Sequence, residues 1–181
     1  MSKGPGIRGM ASSKRSQPSR GLAAPQGLSH LDSGRRARMV DVSSKPVTVR
    51  EAVASGRIRI SPAAMRLVRS GRLRKGGVEE VARVAGILAA KRTADAIPLC
   101  HPLPLTLAEV DLKPQRDGFR IQARVRTEAR TGAEMEALHA VAVAALTIYD
   151  MVKAADPAMT IDAVHLVRKT GGRSGEYRRP V

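Results

Sequence analysis

The alternation of apolar and polar residues predicts strands in four parts of the chain. Residues 107–112 and 119–128 flank the turn-rich sequence Lys-Pro-Gln-Arg-Asp-Gly, which is typical of a hairpin. From Phe119 to Arg126, apolar residues at odd positions alternate with Arg or Gln at even positions. This pattern predicts a strand with one buried face and one cationic face. Residues 39–42 and 159–167 alternate in the same way.

Apolar residues three or four positions apart predict helices elsewhere. Ser61-Pro62 opens the first helix, which ends near Ser70-Gly71. Residues 78–93 have apolar side chains at positions 81, 84, 85 and 88, as in an amphipathic helix. Thr131 and Glu134 have the spacing of a capping box, and a long Ala- and Val-rich helix follows over residues 133–155.

Residues 97–105 contain three prolines, which predict an extended, rigid segment. The predicted order is two helices, a hairpin, a long helix and a strand. We therefore expect an α+β fold in which helices cover one face of an antiparallel sheet, with a ferredoxin-like arrangement as the specific prediction.

Composition divides the chain into a tail and one domain. The 181 residues carry a net charge of +16, of which +7 lies in residues 1–38. Residues 1–27 are rich in Ser, Gly, Pro and Arg and have few large apolar side chains. Such a segment cannot offset the entropy of ordering, so we predict a disordered basic tail over 1–27 and a folded domain over 28–181.

The positive charge indicates an anionic partner, but the residue types weaken a nucleic-acid interpretation. Only 2% of the residues are aromatic, which is too few for a base-stacking platform. Binding to duplex phosphates stays open, so a small basic nucleic-acid-binding or ribosome-associated protein is the alternative prediction. The single cysteine excludes an intramolecular disulfide and fits the cytoplasm. Neither an uninterrupted apolar run of membrane length nor a secretory signal is evident.

Asp150 and Lys153 stand three residues apart on the long predicted helix and face the same way. A surface ion pair would explain this spacing. Apolar neighbours at positions 148, 149, 151 and 152 would instead partly bury the pair. Burial can bring the pKa of a lysine beside a carboxylate closer to neutrality, so that the lysine can transfer protons.

Glu136 lies on nearly the same face of that helix as Asp150 but about 21 Å away along the axis. A capping role would explain Glu134, whereas Glu136 has no such explanation. One small site cannot use both Glu136 and Asp150 from a single helix. Either the substrate is long, or neighbouring subunits of a symmetric oligomer assemble the site.

The remaining polar motifs are individually weak. Cys100 and His101 point to opposite sides of an extended chain and make a poor catalytic dyad. The histidines lack the spacing of zinc ligands, so no metal site is predicted. Glycine-rich segments at 75–77 and 169–175 form either turns or phosphate cradles, and neither has the P-loop pattern.

Together these segments resemble the cyclic pyranopterin monophosphate synthase family of molybdenum cofactor biosynthesis. The resemblance extends over residues 39–177, in the family's order, and leaves the tail outside. The motifs that carry it are Met39-Val40-Asp41-Val42-Ser43, Ala89-Ala90-Lys91-Arg92-Thr93, Ile97-Pro98-Leu99-Cys100-His101-Pro102-Leu103, Thr131-Gly132-Ala133-Glu134-Met135-Glu136-Ala137-Leu138, Ala145-Leu146-Thr147-Ile148-Tyr149-Asp150-Met151 with Lys153, and the closing Gly-rich run.

The resemblance implies a lyase that converts 3′,8-cyclo-7,8-dihydro-GTP to cyclic pyranopterin monophosphate and releases diphosphate, without a cofactor. It also implies a homohexamer, a trimer of dimers, with sites between subunits. Asp150, Lys153 and Lys75 correspond to catalytic residues. The residues that correspond to substrate-binding positions are Leu99, Cys100, His101, Glu134, Met135, Glu136, Lys45, Arg50, Lys169 and Arg173.

Two positions depart from the family pattern. Gly77 stands where an acidic residue is common, so no carboxylate role transfers to it. Arg173 stands where lysine is frequent, which keeps the charge but changes the geometry. A related phosphate-ligand sensor without activity is a further alternative.

Overall fold

A computed structural model of the chain describes Met1 and residues 36–71, 77–173 and 175–180. Residues 2–27 of the predicted tail and Lys75 therefore lie outside the described residues. The elements in chain order are β1 (Thr48–Arg59), α1 (Pro62–Arg69), α2 (Val78–Lys91), α3 (Thr93–Ala96), β2 (Leu105–Gln115), β3 (Gly118–Ala129), α4 (Glu134–Val152), β4 (Thr160–Thr170) and β5 (Tyr177–Arg178).

The strands form one antiparallel sheet in the order β2-β3-β1-β4-β5. The first four strands and the helices between them have the βαββαβ order and the central β3-β1 pair of a ferredoxin-like fold. The short strand β5 extends the sheet beyond β4. The predicted α+β class and ferredoxin-like arrangement are confirmed.

The core lies between the sheet and the pair of helices α2 and α4, which pack against each other. In β3, Phe119, Ile121, Ala123 and Val125 are fully buried, as the alternation predicted. At the helix contact, a Cβ on Gly86 would lie 2.9 Å from the carbonyl oxygen of Ala140. The missing side chain therefore allows α2 to approach α4 closely.

The first strand is the main element that the pattern did not predict. Residues 39–42 were expected to be a strand but have no regular structure, and β1 begins at Thr48 instead. The helix-facing residues Ala52, Ala54 and Gly56 are buried and small. Ala and Gly are depleted in strands, so their alternation is a weak sequence signal although it places β1 at the centre of the sheet.

Helix α2 exists as predicted but turns a different face to the core. The side chains of Val81, Val84 and Leu88 are 46%, 54% and 45% exposed, respectively. The buried face consists mainly of small residues, namely Val78, Ala82, Gly86, Ala89 and Ala90. Close packing on α4 favours that small-residue face, and the larger apolar side chains remain outside.

A serine side chain caps the amino end of α1. Ser61 Oγ accepts a hydrogen bond from the Ala64 backbone N–H at the start of α1, as the Ser-Pro signal predicted.

Helix α4 is long and apolar enough to cross a membrane, but half of its apolar 18-residue stretch is buried inside the fold. Its apolarity thus reflects its position as the central core helix.

Candidate active site

The amino end of α4 carries an ion pair with the sheet. Lys169 Nζ, near the end of β4, donates to Glu134 Oε1 at 2.8 Å. The predicted capping box is wrong, because Ala133 is the N-cap residue and no side chain caps the helix. A Cβ on Gly132 would lie 1.9 Å from Glu134 Oε2, so this glycine leaves the room that the carboxylate occupies.

Glu136 lies in the first turn of α4 and is only 3% exposed. Burial raises its pKa from the ordinary 4.5 to about 7, and the neighbouring Glu134 charge adds to the increase. A carboxyl group with this pKa exchanges a proton readily near neutral pH. The buried Glu136 is therefore the strongest candidate acid or base at this end of α4.

The proline-rich segment places Cys100 near Glu136. The backbone N–H of Cys100 donates to the Ile97 carbonyl at 3.0 Å, so residues 97–100 form a turn rather than the extended run that was predicted. Burial raises the pKa of the Cys100 thiol, and the Glu136 charge raises it further. The thiol is thus disfavoured as a thiolate nucleophile.

Arg50 holds two segments of the site together. Its Nε and Nη2 donate to the carbonyls of Ala129 and Arg130 at 3.0 and 3.1 Å. Gly172 has a φ of +74°, and a Cβ there would lie 2.3 Å from Arg50 Nη1. The glycine-rich end of β4 therefore lies directly over the Arg50 guanidinium.

Asp41 and Arg130, which were not predicted as site residues, form hydrogen bonds to the segment before β1. Arg130 Nη1 donates to the carbonyls of Ser43 and Lys45, the latter at 2.8 Å. The Ser43 backbone N–H donates to Asp41 Oδ1 at 2.8 Å and lowers the Asp41 pKa, and the His101 charge contributes to that lowering. Asp41 belongs to a motif noted in the sequence, but nothing in local spacing singled out Arg130.

Asp150 and Lys153 lie at the opposite end of α4. Lys153 Nζ donates to Asp150 Oδ1 at 2.7 Å, and both side chains are 56% exposed. The expected partial burial is wrong for the isolated chain, because the apolar neighbours turn into the core while this pair faces outward. The hydrogen bond to Asp150 raises the Lys153 pKa instead of lowering it.

The structure therefore places Cys100, Glu134, Glu136 and Lys169 together at one end of α4 and the Asp150–Lys153 pair at the other. The sequence pattern of the MoaC family matches residues 39–172, which include both groups. The chain belongs to the MoaC family.

Relatives in this family are similar over most of their length. The cyclic pyranopterin monophosphate synthase of Thermomicrobium roseum is 61% identical over 154 residues, which cover 84% of this chain and 93% of that protein. The protein of the same name from Parvibaculum lavamentivorans is 55% identical over 86% of this chain and 98% of its own length. That of Nostoc sp. is 53% identical over 84% and 92%, respectively.

The other family-motif residues differ in their surroundings. Leu99 and Lys45 are half-buried, whereas Met135 and Arg173 are exposed. Among the residues that the structure describes, no three His, Cys, Asp or Glu side chains are grouped as metal ligands. What the amino end of α4 offers is a buried acid, a thiol and an ion-paired lysine.

This arrangement suits an anionic substrate that undergoes proton transfer. Lys169 provides an ammonium group, and the glycine-rich turn follows it closely along the chain. Glu136 supplies a group that titrates near neutral pH. Cations beside an acid of this pKa can stabilise developing phosphate charge while a proton moves.

Proposed function

We propose that the chain is a lyase that converts (8S)-3′,8-cyclo-7,8-dihydroguanosine 5′-triphosphate to cyclic pyranopterin monophosphate and releases diphosphate. Family membership and the names of the relatives support the reaction. The observation that carries the proposal is the cluster of Glu136, Lys169 and the 99–101 segment at the start of α4. Biosynthetic relatives of this kind support a cytoplasmic location.

The amino end of α4 binds the substrate in this proposal. Lys169, Lys45 and the exposed Arg173 contact the triphosphate, while Arg50 holds the glycine-rich turn in place through its two carbonyl contacts. Leu99, Cys100, His101 and Met135 contact the rest of the substrate. Glu134 orients Lys169 through their 2.8 Å ion pair.

The carboxyl end of α4 supplies catalytic groups. Opening the purine ring, closing a new ring and cyclising the phosphate each require proton transfers, and the rearrangement itself calls for no redox cofactor. Asp150 and Lys153 are already hydrogen-bonded and exposed to an incoming ligand. Lys75 joins them as a third catalytic residue by its position in the sequence.

Both ends of α4 cannot contact one substrate within a single chain. Fourteen residues separate Glu136 from Asp150, which at the helical rise is about 21 Å. A neighbouring copy that presents its Asp150 and Lys153 to the amino-end cluster would complete the site. A homohexamer built as a trimer of dimers provides such interfaces, and two-fold symmetry completes two sites at a time.

An apolar surface on the helix layer supports this assembly. A shallow, open groove of about 400 Å³ lies between α2, α3 and α4 and is lined mainly by apolar side chains, among them Leu88 and Val143. Val81, Val84 and Leu146 are also exposed. Apolar side chains grouped in this way are typical of surfaces that contact another subunit.

Ion pairs on the arginine-rich face of the sheet weaken the alternative function, nucleic-acid binding. Arg124 is paired with Glu109 at 2.8 Å, and Arg126 with Glu51 at 2.7 Å. Arg59 pairs with Asp162 as well. Cations that already have carboxylate partners release fewer counterions on contact with phosphate backbones, so they contribute less to nucleic-acid affinity.

Incubation of the purified oligomer with the cyclised GTP derivative tests the reaction. We expect diphosphate and a pterin product in equal amounts. Folded oligomer that binds the substrate tightly but forms neither product would identify the chain as the inactive sensor. Folded oligomer that neither binds nor converts it would refute the proposed function.

A mixing experiment tests the shared site. Glu136→Gln and Lys153→Ala are expected to be inactive separately, because each damages a different half of every site. Co-assembled one to one, they should regain roughly a quarter of wild-type activity, since that fraction of interfaces combines two intact halves. Unchanged inactivity in verified mixed oligomers would mean that the two halves act within one chain.

A further inference from the structure

The face of the sheet opposite the helices carries an unusual row of cations. Arg120 on β3 is the direct cross-strand partner of Lys113 on β2 and of Arg57 on β1. Paired residues of adjacent antiparallel strands share a face and lie about 5 Å apart. Like charges placed in this way destabilise a sheet unless an anion accompanies them.

Nearby carboxylates neutralise this row only at its ends. Asp117 pairs with Arg57 at 2.5 Å, and Asp111 lies 3.7 Å from Lys113. Arg120, in the middle, has no carboxylate partner within the part of the chain that the structure describes. In addition, Arg57 Nε is buried and lacks a hydrogen-bond acceptor there.

A pocket adjoins the row at Arg57 and Arg120. It has a volume of about 280 Å³ and is lined by Arg57, Arg120, Gln115, Ser55 and His165, with Gly56 and Ala163. Side chains with hydrogen-bond donors therefore surround the space on four strands. The volume is ample for a phosphate group together with water.

An irregular stretch of β4 forms one wall of the pocket. The register between β1 and β4 shifts between Ser55 and Arg57, and Ala163 opposite this shift has a φ of +52°. His165 Nδ1 lies 2.5 Å from the Ala163 carbonyl oxygen, so this nitrogen carries a proton and donates. An alanine at positive φ costs free energy, and such strain is concentrated at ligand sites.

We propose that this pocket binds a phosphate-class oxyanion, with Arg120 as its principal ligand and Arg57 and His165 as further contacts. The anion neutralises the cation row and supplies an acceptor for donors that the chain leaves unused. The site is separate from the candidate active site. Arg57 lies seven residues along β1 from Arg50, about 23 Å, on the face of the sheet that α4 does not cover.

Histidine NMR on the full-length oligomer tests the site directly. The chain has four histidines, so labelling of the imidazole Cε1 gives four signals that single His→Gln variants assign. His165 reports on the pocket and His101 on the candidate active site. Inorganic phosphate, diphosphate and 5′-GMP are titrated separately at constant ionic strength, with chloride as the reference anion.

We expect the His165 signal to move with a Kd in the millimolar range or tighter for inorganic phosphate. A stronger response to 5′-GMP would identify an organic phosphate ester as the better ligand of the same site. Movement of the His101 signal alone would overturn the proposal, because it would place phosphate only in the candidate active site. The two signals thus separate this inference from the proposed function.

A matched pair of variants identifies the ligand residue. Arg120→Gln should weaken the phosphate response of His165 at least about tenfold, as expected for loss of a charge-assisted contact. Arg124→Gln is the control, because Arg124 lies on the same strand and face but is paired with Glu109. Equal phosphate affinity in Arg120→Gln and Arg124→Gln would refute the assignment of Arg120 as the principal ligand. A changed oligomeric state in Arg120→Gln with an unchanged phosphate response would show that the face binds another copy instead.

Discussion

The two ends of α4 differ in how their charged residues are held. At the amino end, Glu134 is bonded to Lys169 from β4, and Glu136 is buried beside the 97–101 segment. At the carboxyl end, Asp150 and Lys153 are bonded to each other and exposed. One end is thus assembled from several parts of the chain, whereas the other is a local pair on one helix.

This difference indicates different demands on the two ends. A group of long-range contacts positions several side chains rigidly, as substrate binding requires. An exposed pair on one helix gains little stability from its ion pair. We expect variants at the two ends to separate stability from activity.

The largest expected effect is at the local pair. Lys153→Ala should lower kcat by roughly 10⁴-fold, the upper range for loss of a proton-transfer group. The melting temperature should not change, because the side chain is exposed. Steady-state kinetics and calorimetry check this prediction.

Glu80→Gln is the matched control for Asp150→Asn. Glu80 forms an exposed ion pair with Arg83 at the same three-residue spacing, on α2. It should leave kcat unchanged, whereas Asp150→Asn should nearly abolish it. Equal losses in both variants would remove the distinction between this pair and an ordinary surface ion pair.

Glu136→Gln should lower kcat by roughly 10²–10³-fold and remove an ionisation near pH 7 from the rate profile. The folded state keeps the Glu136 proton up to a pH of about 7, whereas the unfolded chain loses it near 4.5. The wild-type free energy of unfolding should therefore fall as pH rises through this window, by up to about 3 kcal/mol.

Denaturant unfolding of wild type and Glu136→Gln at pH 5 and pH 8 measures that contribution. The variant should lack this part of the pH dependence and gain stability relative to wild type at pH 8. The free energy of unfolding could instead rise between pH 5 and pH 8 by the same amount in wild type and in Glu136→Gln. That result would argue against a buried, protonated Glu136.

A smaller effect is expected from Lys169→Met. Removing the cation from its pair with Glu134 should raise KM by roughly 10- to 100-fold, in keeping with the loss of one charge-assisted hydrogen bond to phosphate. The change in kcat should be minor. If kcat falls and KM does not, Lys169 takes part in the chemical step instead of binding.

The smallest effect is expected from Thr131→Val. No side chain caps α4, so loss of this hydroxyl should change the free energy of unfolding by less than about 0.5 kcal/mol. Ser61→Ala is the reference, since its cap on α1 should contribute about 1 kcal/mol. Equal losses in thermal unfolding would restore a capping role for Thr131.

Much of the fold was predictable from residues close in sequence. The β2–β3 hairpin, α1, α2 and α4 follow from period and turn residues, and each of them is confirmed. Strand β1 escaped prediction because its core face is Ala and Gly. The exposed face of α2 was misassigned because close helix packing selected its small residues rather than its larger apolar ones.

The candidate site was predictable only in part. The spacing of Asp150 and Lys153 predicted their contact, since neighbours on a helix meet without help from the rest of the chain. Local spacing did not predict the exposure of this pair, the ion pair of Glu134 with Lys169, or the hydrogen bonds from Arg130 to the segment before β1. Each depends on where a distant strand or loop comes to lie.

Sequence was thus sufficient for the type of each long periodic element, the order of the motifs and the separation of Glu136 from Asp150 along one helix. Those properties depend on backbone geometry over a few turns. The tertiary structure decided which charges are paired, which carboxyl group is buried with a raised pKa, and which cations share the open face of the sheet. These depend on strand order and register, which bring together residues far apart in the chain.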